Sequence, residues 1–146
     1  MSYEQLKLEN QLCFPVYATS RLIIREYQPE LDKLAITYPQ YLVLLVLWED
    51  NEITVNDIAK KLILNTNTIT PLLKRMEKQG LINRKRSTTD ERKVIIKLSE
   101  SGIAMKEKAA LIPEKLAKKL LKGPLNVDEL IKLKNDLGII IDFLKG

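Results

Sequence analysis

The sequence predicts a mainly α-helical fold of the α+β kind: a central module of three helices and one β-hairpin, flanked by helical extensions at both ends. Three observations carry this. Apolar residues recur at helical spacing over most of the chain. Two short alternating stretches, Leu81–Arg86 and Lys93–Leu98, bracket the polar turn Ser87–Asp90. Positive charge gathers around that hairpin and the helices before it. Between Lys60 and Lys97 stand 11 basic and three acidic residues, giving +8, while the rest of the chain carries −3.

The elements follow in order. Leu8, Leu12, Val16, Ile23 and Tyr27 place a helix over residues 5–27. Pro15 removes an internal N–H, so a kink or restart is expected between Leu12 and Phe14. Residues 28–36 form a short helix or turn. Thr37 is an N-cap with Pro39 in the first turn, opening a helix from Tyr38 to Glu49. That helix is apolar on nearly every side, which places it at the centre of the fold. The stretch DNEIT is a loop. Thr54 caps a short helix, Val55–Leu62, with Asp57 completing a weak capping box. A further helix runs from Thr68 to Gln79, with Ile69, Leu72, Leu73 and Met76 as its buried stripe and Gly80 as its stop. After the hairpin, Ser99 caps a long helix interrupted by Pro113 and stopped by Gly123 and Pro124. The last helix, Val127–Leu144, carries leucines and isoleucines close to a 3-4 repeat.

Composition narrows the function. The chain has one cysteine and no histidine. That excludes an intrachain disulfide, a Cys/His metal site within one subunit and histidine-dependent catalysis. No paired-carboxylate spacing stands out, so an enzyme is not expected, nor a cofactor. The apolar run Tyr41–Trp48 is too short to span a bilayer and the N-terminus does not read as a secretory signal; a cytoplasmic protein without membrane association is expected.

The two consecutive helices of the central module have the arrangement of a helix-turn-helix, and the hairpin beside them makes it a winged one. A helix fits the major groove, where base edges are distinguishable. Thr66, Asn67, Thr68 and Thr70 supply short donors and acceptors near the start of the second helix. Lys74, Arg75 and the strand Arg84–Lys85–Arg86 suit backbone phosphates. Arg92 at the hairpin tip suits the negative potential of a minor groove, with Asp90 holding its guanidinium. The terminal helices exceed what a DNA-reading module needs. Their simplest use is pairing with a second copy, which presents two heads to a palindrome.

These features converge on a known family. The stretches LENQLCFPVYATSR (Leu8–Arg21), LAITYPQYLVLLVLWE (Leu34–Glu49) and TITPLLKRMEKQGLINRKRSTTDERKVIIKLSESG (Thr68–Gly102) resemble MarR-type winged-helix transcription regulators. The first two resemble the one-cysteine, organic-hydroperoxide-sensing (OhrR-type) branch. The resemblance implies a single MarR-type domain over 1–146, with 1–36 and 100–146 as dimerisation helices and 37–99 as the winged helix-turn-helix. It implies a homodimeric repressor on a pseudo-palindromic operator, released when Cys13 is oxidised. It also implies that the Cys13 thiolate lies near Tyr27 and Tyr38 of the partner subunit, with Tyr17 close by. The lead-in NTNT, Asn65–Thr68, departs from the Asp-Ser-Gly-Thr common in the family, which bears on the operator sequence.

The chemistry implied for Cys13 is specific. A thiol reacts with peroxide as its thiolate, which tyrosine hydroxyls favour by hydrogen bonding. Leu12, Phe14 and Val16 favour an organic hydroperoxide over an inorganic one. The first product is a sulfenic acid. With no second cysteine, a small external thiol traps it, or it closes to a sulfenamide or overoxidises. Periodicity alone reads Cys13 as a small buried hydrophobe. Three alternatives stay open: a MarR-type repressor released by a small aromatic or phenolic ligand, a redox-sensing global regulator of virulence and resistance, and a dimerising protein-interaction module with no DNA role.

Overall fold

The computed structural model describes residues 1–146. Two short 3₁₀ turns, Glu4–Leu6 and Leu8–Asn10, precede α1, Cys13–Lys33. The helix expected from residue 5 therefore begins eight residues later. The cause is Pro15 in the first turn of α1. Its ring crowds the carbonyl of residue 11, and Gln11 is accordingly extended, at φ −88° and ψ 122°. The restart alternative holds. The separate short element expected over 28–36 is absent, because α1 absorbs Pro29 and runs on to Lys33. Ala35, at φ +56°, then reverses the chain, and the Ile36 N–H donates to Leu31 O at 3.1 Å.

Helix α2, Tyr38–Glu49, opens on a full capping box. The Gln40 N–H donates to Thr37 Oγ1 at 3.3 Å, and the Thr37 N–H donates to Gln40 Oε1 at 3.0 Å. Tyr41, Val43, Leu44, Val46 and Leu47 are buried, so α2 forms the spine of the core as its all-round apolar character requires. The DNEIT stretch is not wholly loop: Glu52–Thr54 is a strand, β1, that occupies the free edge of the hairpin. Three residues are too few to show a period, but Ile53 is buried by the pairing.

Helix α3, Val55–Leu62, is capped by Thr54, whose Oγ1 accepts from the Asp57 N–H at 3.1 Å. Helix α4, Thr66–Lys78, starts two residues before the expected Thr68, because Asn65 caps it. Asn65 Oδ1 accepts from the Thr68 N–H at 2.9 Å. Strands β2, Ile82–Arg86, and β3, Val94–Leu98, form the expected hairpin. The sheet order is β1-β3-β2, all antiparallel, with Ile53 opposite Ile96 and Arg84 opposite Ile96.

The long helix after Ser99 is two helices, α5, Glu100–Ala109, and α6, Leu111–Leu120. The break sits where Pro113 would clash with the carbonyl of Ala109. Gly102 in α5 is required by close approach: a Cβ there would lie 2.3 Å from Leu81 O. The bond from Trp48 Nε1 to Gly102 O, 2.9 Å, ties the end of α2 to α5.

The chain divides into two compact units, Met1–Ala109 and Ala110–Gly146. The second comprises α6 and α7, Val127–Lys145, the latter capped by an Asn126/Glu129 capping box. None of the α7 residues is buried, and Ile131, Leu133, Ile139, Ile140, Ile141, Phe143 and Leu144 are exposed. No helix is long and apolar enough to cross a membrane.

Candidate nucleic-acid interface and thiol site

The polar first turn of α4 faces away from the core, since the buried stripe Ile69, Leu72, Leu73 and Met76 fixes the rotation of the helix. A groove of about 410 Å³ runs between this turn, the start of α3 and the base of the hairpin. Thr66 and Thr70 line it from α4, Arg84 from β2 and Arg92 from the hairpin. Four of the residues expected from sequence thus come together. Thr54, Asn56, Lys60 and Lys93 join them, which sequence reasoning did not single out as contacts. Lys60 and Lys93 were visible in the +8 cluster, but only the fold shows that they share a wall with Thr66.

The other expected residues lie elsewhere. Asn67, Lys74 and Arg75 are exposed along α4. Thr68 contributes to the cap, its Oγ1 donating to Asn65 Oδ1 at 3.3 Å. Lys85 and Arg86 line a second hollow, of about 370 Å³, with Thr88 and Lys97. Arg84 is committed within the chain. Its N–H donates to Glu77 Oε2 at 3.1 Å and its guanidinium lies 3.7 Å from Glu77 Oε1, with the side chain only 20% exposed.

The hairpin tip is braced by its own polar groups. Ser87 Oγ accepts from the N–H groups of Thr89 and Asp90, and the Ser87 and Lys93 N–H groups close the turn on Lys93 O and Asp90 O. Asp90 Oδ1 accepts from both the backbone N–H and Nε of Arg92, at 3.1 and 3.2 Å. Arg92 holds the Asp90 carboxyl below its ordinary range, so the pair is fully ionised at neutral pH. The Arg92 side chain is nonetheless 91% exposed. Asp90 orients the guanidinium and leaves its face open.

Cys13 is exposed and is the first residue of α1, the end at which a helix favours negative charge. Tyr17 lies one turn further along the helix under the Arg21 guanidinium, 4.8 Å from the ring centroid. Phe14, Val16 and Leu12 are exposed beside the thiol. Tyr27 and Tyr38 meet ring to ring at 5.1 Å, and Tyr41 completes a triad at 5.7 and 6.1 Å. Burial, with smaller contributions from Tyr38 and Tyr41, pushes the Tyr27 hydroxyl up to about 12, and burial raises Tyr38 and Tyr41 as well. All three phenols are neutral donors at physiological pH. Tyr41 was read from sequence only as core.

The geometry separates these groups within one chain. Cys13 and Tyr27 are 14 residues apart on one helix, a rise of about 21 Å at 1.5 Å per residue. The tyrosine pair therefore cannot reach the thiol of its own chain.

Comparison with known proteins places this architecture. Residues 25–109 match the family model described as transcriptional regulator SarA/Rot. The organic hydroperoxide resistance transcriptional regulator of Bacillus subtilis is 58% identical over 111 residues, covering 76% of each chain. The structure of reduced AbfR bound to DNA aligns with a TM-score of 0.80 at 39% identity, over 99% of this chain and 97% of that one. The disulfide form of AbfR, a Staphylococcus epidermidis protein, aligns less well, with a TM-score of 0.65 at 39% identity over 94% and 95%.

Proposed function

Because the chain belongs to the MarR family of winged-helix transcriptional regulators, close to its organic-hydroperoxide-sensing branch, we propose that it is a homodimeric repressor which leaves a pseudo-palindromic operator when Cys13 is oxidised. The observation that carries the reading is the separation along α1 of Cys13 from Tyr27, against which Tyr38 of α2 packs. A thiol exposed at one end of a helix, and paired neutral phenols at the other, form a complete site only when two copies combine. The exposed apolar residues of α7 supply a surface for that pairing. Residues 1–36 and 100–146 serve dimerisation in this reading, and 37–99 serve DNA.

On DNA, α4 enters the major groove with Thr66, Asn67 and Thr70 near base edges, and Thr68 holding the helix start. Lys74, Arg75, Lys85 and Arg86 neutralise phosphates, with Lys60 and Lys93 added from the groove. Arg84 acts differently, by bracing β2 against α4 through Glu77. Arg92, oriented by Asp90, enters the flanking minor groove.

The redox step balances as follows. The Cys13 thiolate attacks the outer oxygen of an organic hydroperoxide; the S–O bond forms as the O–O bond breaks. With one proton, the products are a sulfenic acid and an alcohol. A small thiol then attacks the sulfenic sulfur and water leaves, giving a mixed disulfide. The added bulk at a packed seam between subunits displaces Tyr27 and Tyr38 and changes the spacing of the two heads.

The test is fluorescence anisotropy on DNA from the chain's own upstream promoter. Reduced protein is expected to bind, cumene hydroperoxide with a small thiol to release it, and Cys13→Ser to stay bound under both conditions. Release that persists in Cys13→Ser sinks the reading and turns the search to a pocket ligand.

A further inference from the structure

We propose that Gln40 is the positioning residue through which a displacement of Tyr38 reaches the recognition helix. The proposal rests on the sensing reading above. Gln40 is the one polar side chain among the buried residues, at 3% exposed. Its groups are all engaged. Oε1 accepts from the Thr37 N–H, the Gln40 N–H donates to Thr37 Oγ1, and Nε2 donates to Gln79 Oε1 at 2.9 Å. Tyr38 lies inside that capping box, one residue after Thr37 and two before Gln40. Gln79 is the C-cap of α4. The bond thus joins the tyrosine end of α2 to the end of the recognition helix, across 39 residues of sequence.

Two physical points make this bond a coupling rather than a passive contact. Apolar contacts between α2 and α4 are non-directional, whereas a hydrogen bond fixes one position of one helix end against the other. The bond also resists breaking. Without Gln79 the Gln40 amide would be a buried donor with no partner, which costs more than the bond contributes on balance. When Tyr38 shifts, the capping box shifts with it and draws the α4 end along. The 13-residue α4 is a stiff rod, so moving its C-cap re-aims Thr66 at the groove.

The experiment measures the ratio of operator dissociation constants, oxidised over reduced, for the wild type, Cys13→Ser, Gln79→Met and Gln79→Glu. Gln79 is exposed, so replacing it leaves the core and the capping box intact. Melting curves confirm folding, and mass spectrometry confirms equal oxidation of Cys13. The wild-type ratio is expected within the range of allosteric couplings, on the order of 5–150-fold. Gln79→Met, isosteric but without the acceptor, is expected to bind as the reduced wild type does and to lose most of the release. Gln79→Glu keeps an acceptor and is expected to retain it. A wild-type ratio in Gln79→Met, or equal loss in Gln79→Glu, overturns the proposal while leaving Cys13 sensing in place. A wild type that oxidant does not release overturns both, and is told apart because the unmodified chain already fails.

Discussion

Helices α2 and α7 are both rich in leucine, isoleucine and valine, yet one is finished inside the chain and the other is not. In α2, Val43, Leu44 and Leu47 have no exposed surface; in α7 no residue is buried, and Ile139 and Phe143 are more than two-thirds open. The same contrast divides the charged residues. Arg84 is closed on Glu77, whereas Lys60 and Arg92 face outward. Groups satisfied within one chain hold the fold, and groups left open are those that the proposed function assigns to a second copy or to DNA.

Breaking the open side of this contrast should have the largest effect. Ile140→Asp places an uncompensated charge on the α7 surface. Burying such a charge costs about 3–5 kcal/mol, so self-association should weaken by roughly 100- to 4,000-fold at 1.4 kcal/mol per decade. Sedimentation velocity checks it, and an unchanged dimer contradicts it. On the closed side, Leu44→Ala should cost about 3 kcal/mol of folding stability through the cavity left, read by chemical denaturation. Gly102→Ala sharpens the contrast at the α2–α5 tie. Its Cβ meets the Leu81 carbonyl backbone, which cannot yield cheaply, and overpacking of this kind costs about 2 kcal/mol.

The charged residues should separate by assay. Arg92→Ala is expected to weaken operator binding by about tenfold, one charge-assisted hydrogen bond, with folding stability unchanged. The Asp90 carboxyl is held low by Arg92, so its contribution is present above that lowered value and is lost only as pH falls through it. Operator affinity in the Asp90→Asn variant should therefore lose this acid-side dependence. The smallest effect is expected for Lys60→Ala, a uniform weakening across DNA sequences with the salt slope reduced by about one. Arg84→Ala, by contrast, should lower stability as well as binding, because it removes the half-buried guanidinium beside Glu77 while leaving only the backbone N–H bond to that carboxylate.

Local chemistry was legible in the sequence, and distant pairing was not. Thr37 and Thr54 cap the helices that their side chains announced, and Asp90 grips Arg92 within a turn of a few residues. The three-residue β1 carries no period, so only its pairing with β3 reveals it. The first turn of α4 was missed because Asn65 caps by a side-chain bond that competes with a Thr-rich lead-in of similar capping strength. Arg84 was grouped with Lys85 and Arg86 as one basic strand; alternation sets its face apart from that of Lys85, but only the fold shows Glu77 of α4 beside it. The Gln40–Gln79 bond joins residues in different elements, and nothing in either neighbourhood marks the other. For the thiol, the resemblance named Cys13, Tyr27 and Tyr38; the stretch of α1 from Cys13 to Tyr27, with Tyr38 stacked on Tyr27, keeps the phenols away from the thiol within one chain.

That last point is open to a direct test with mixed dimers, one chain carrying Cys13→Ser and the other Tyr27→Phe with Tyr38→Phe. If each thiol uses its partner's tyrosines, the mixed dimer holds one intact site: Cys13 of the second chain facing the tyrosines of the first. Stopped-flow oxidation by cumene hydroperoxide should then proceed at the wild-type rate for that thiol, while the Tyr27→Phe/Tyr38→Phe homodimer is slower by roughly tenfold or more, the loss of a hydrogen bond to a charged group. A mixed dimer as slow as that homodimer would contradict the account, since it would place the tyrosines with the thiol of their own chain.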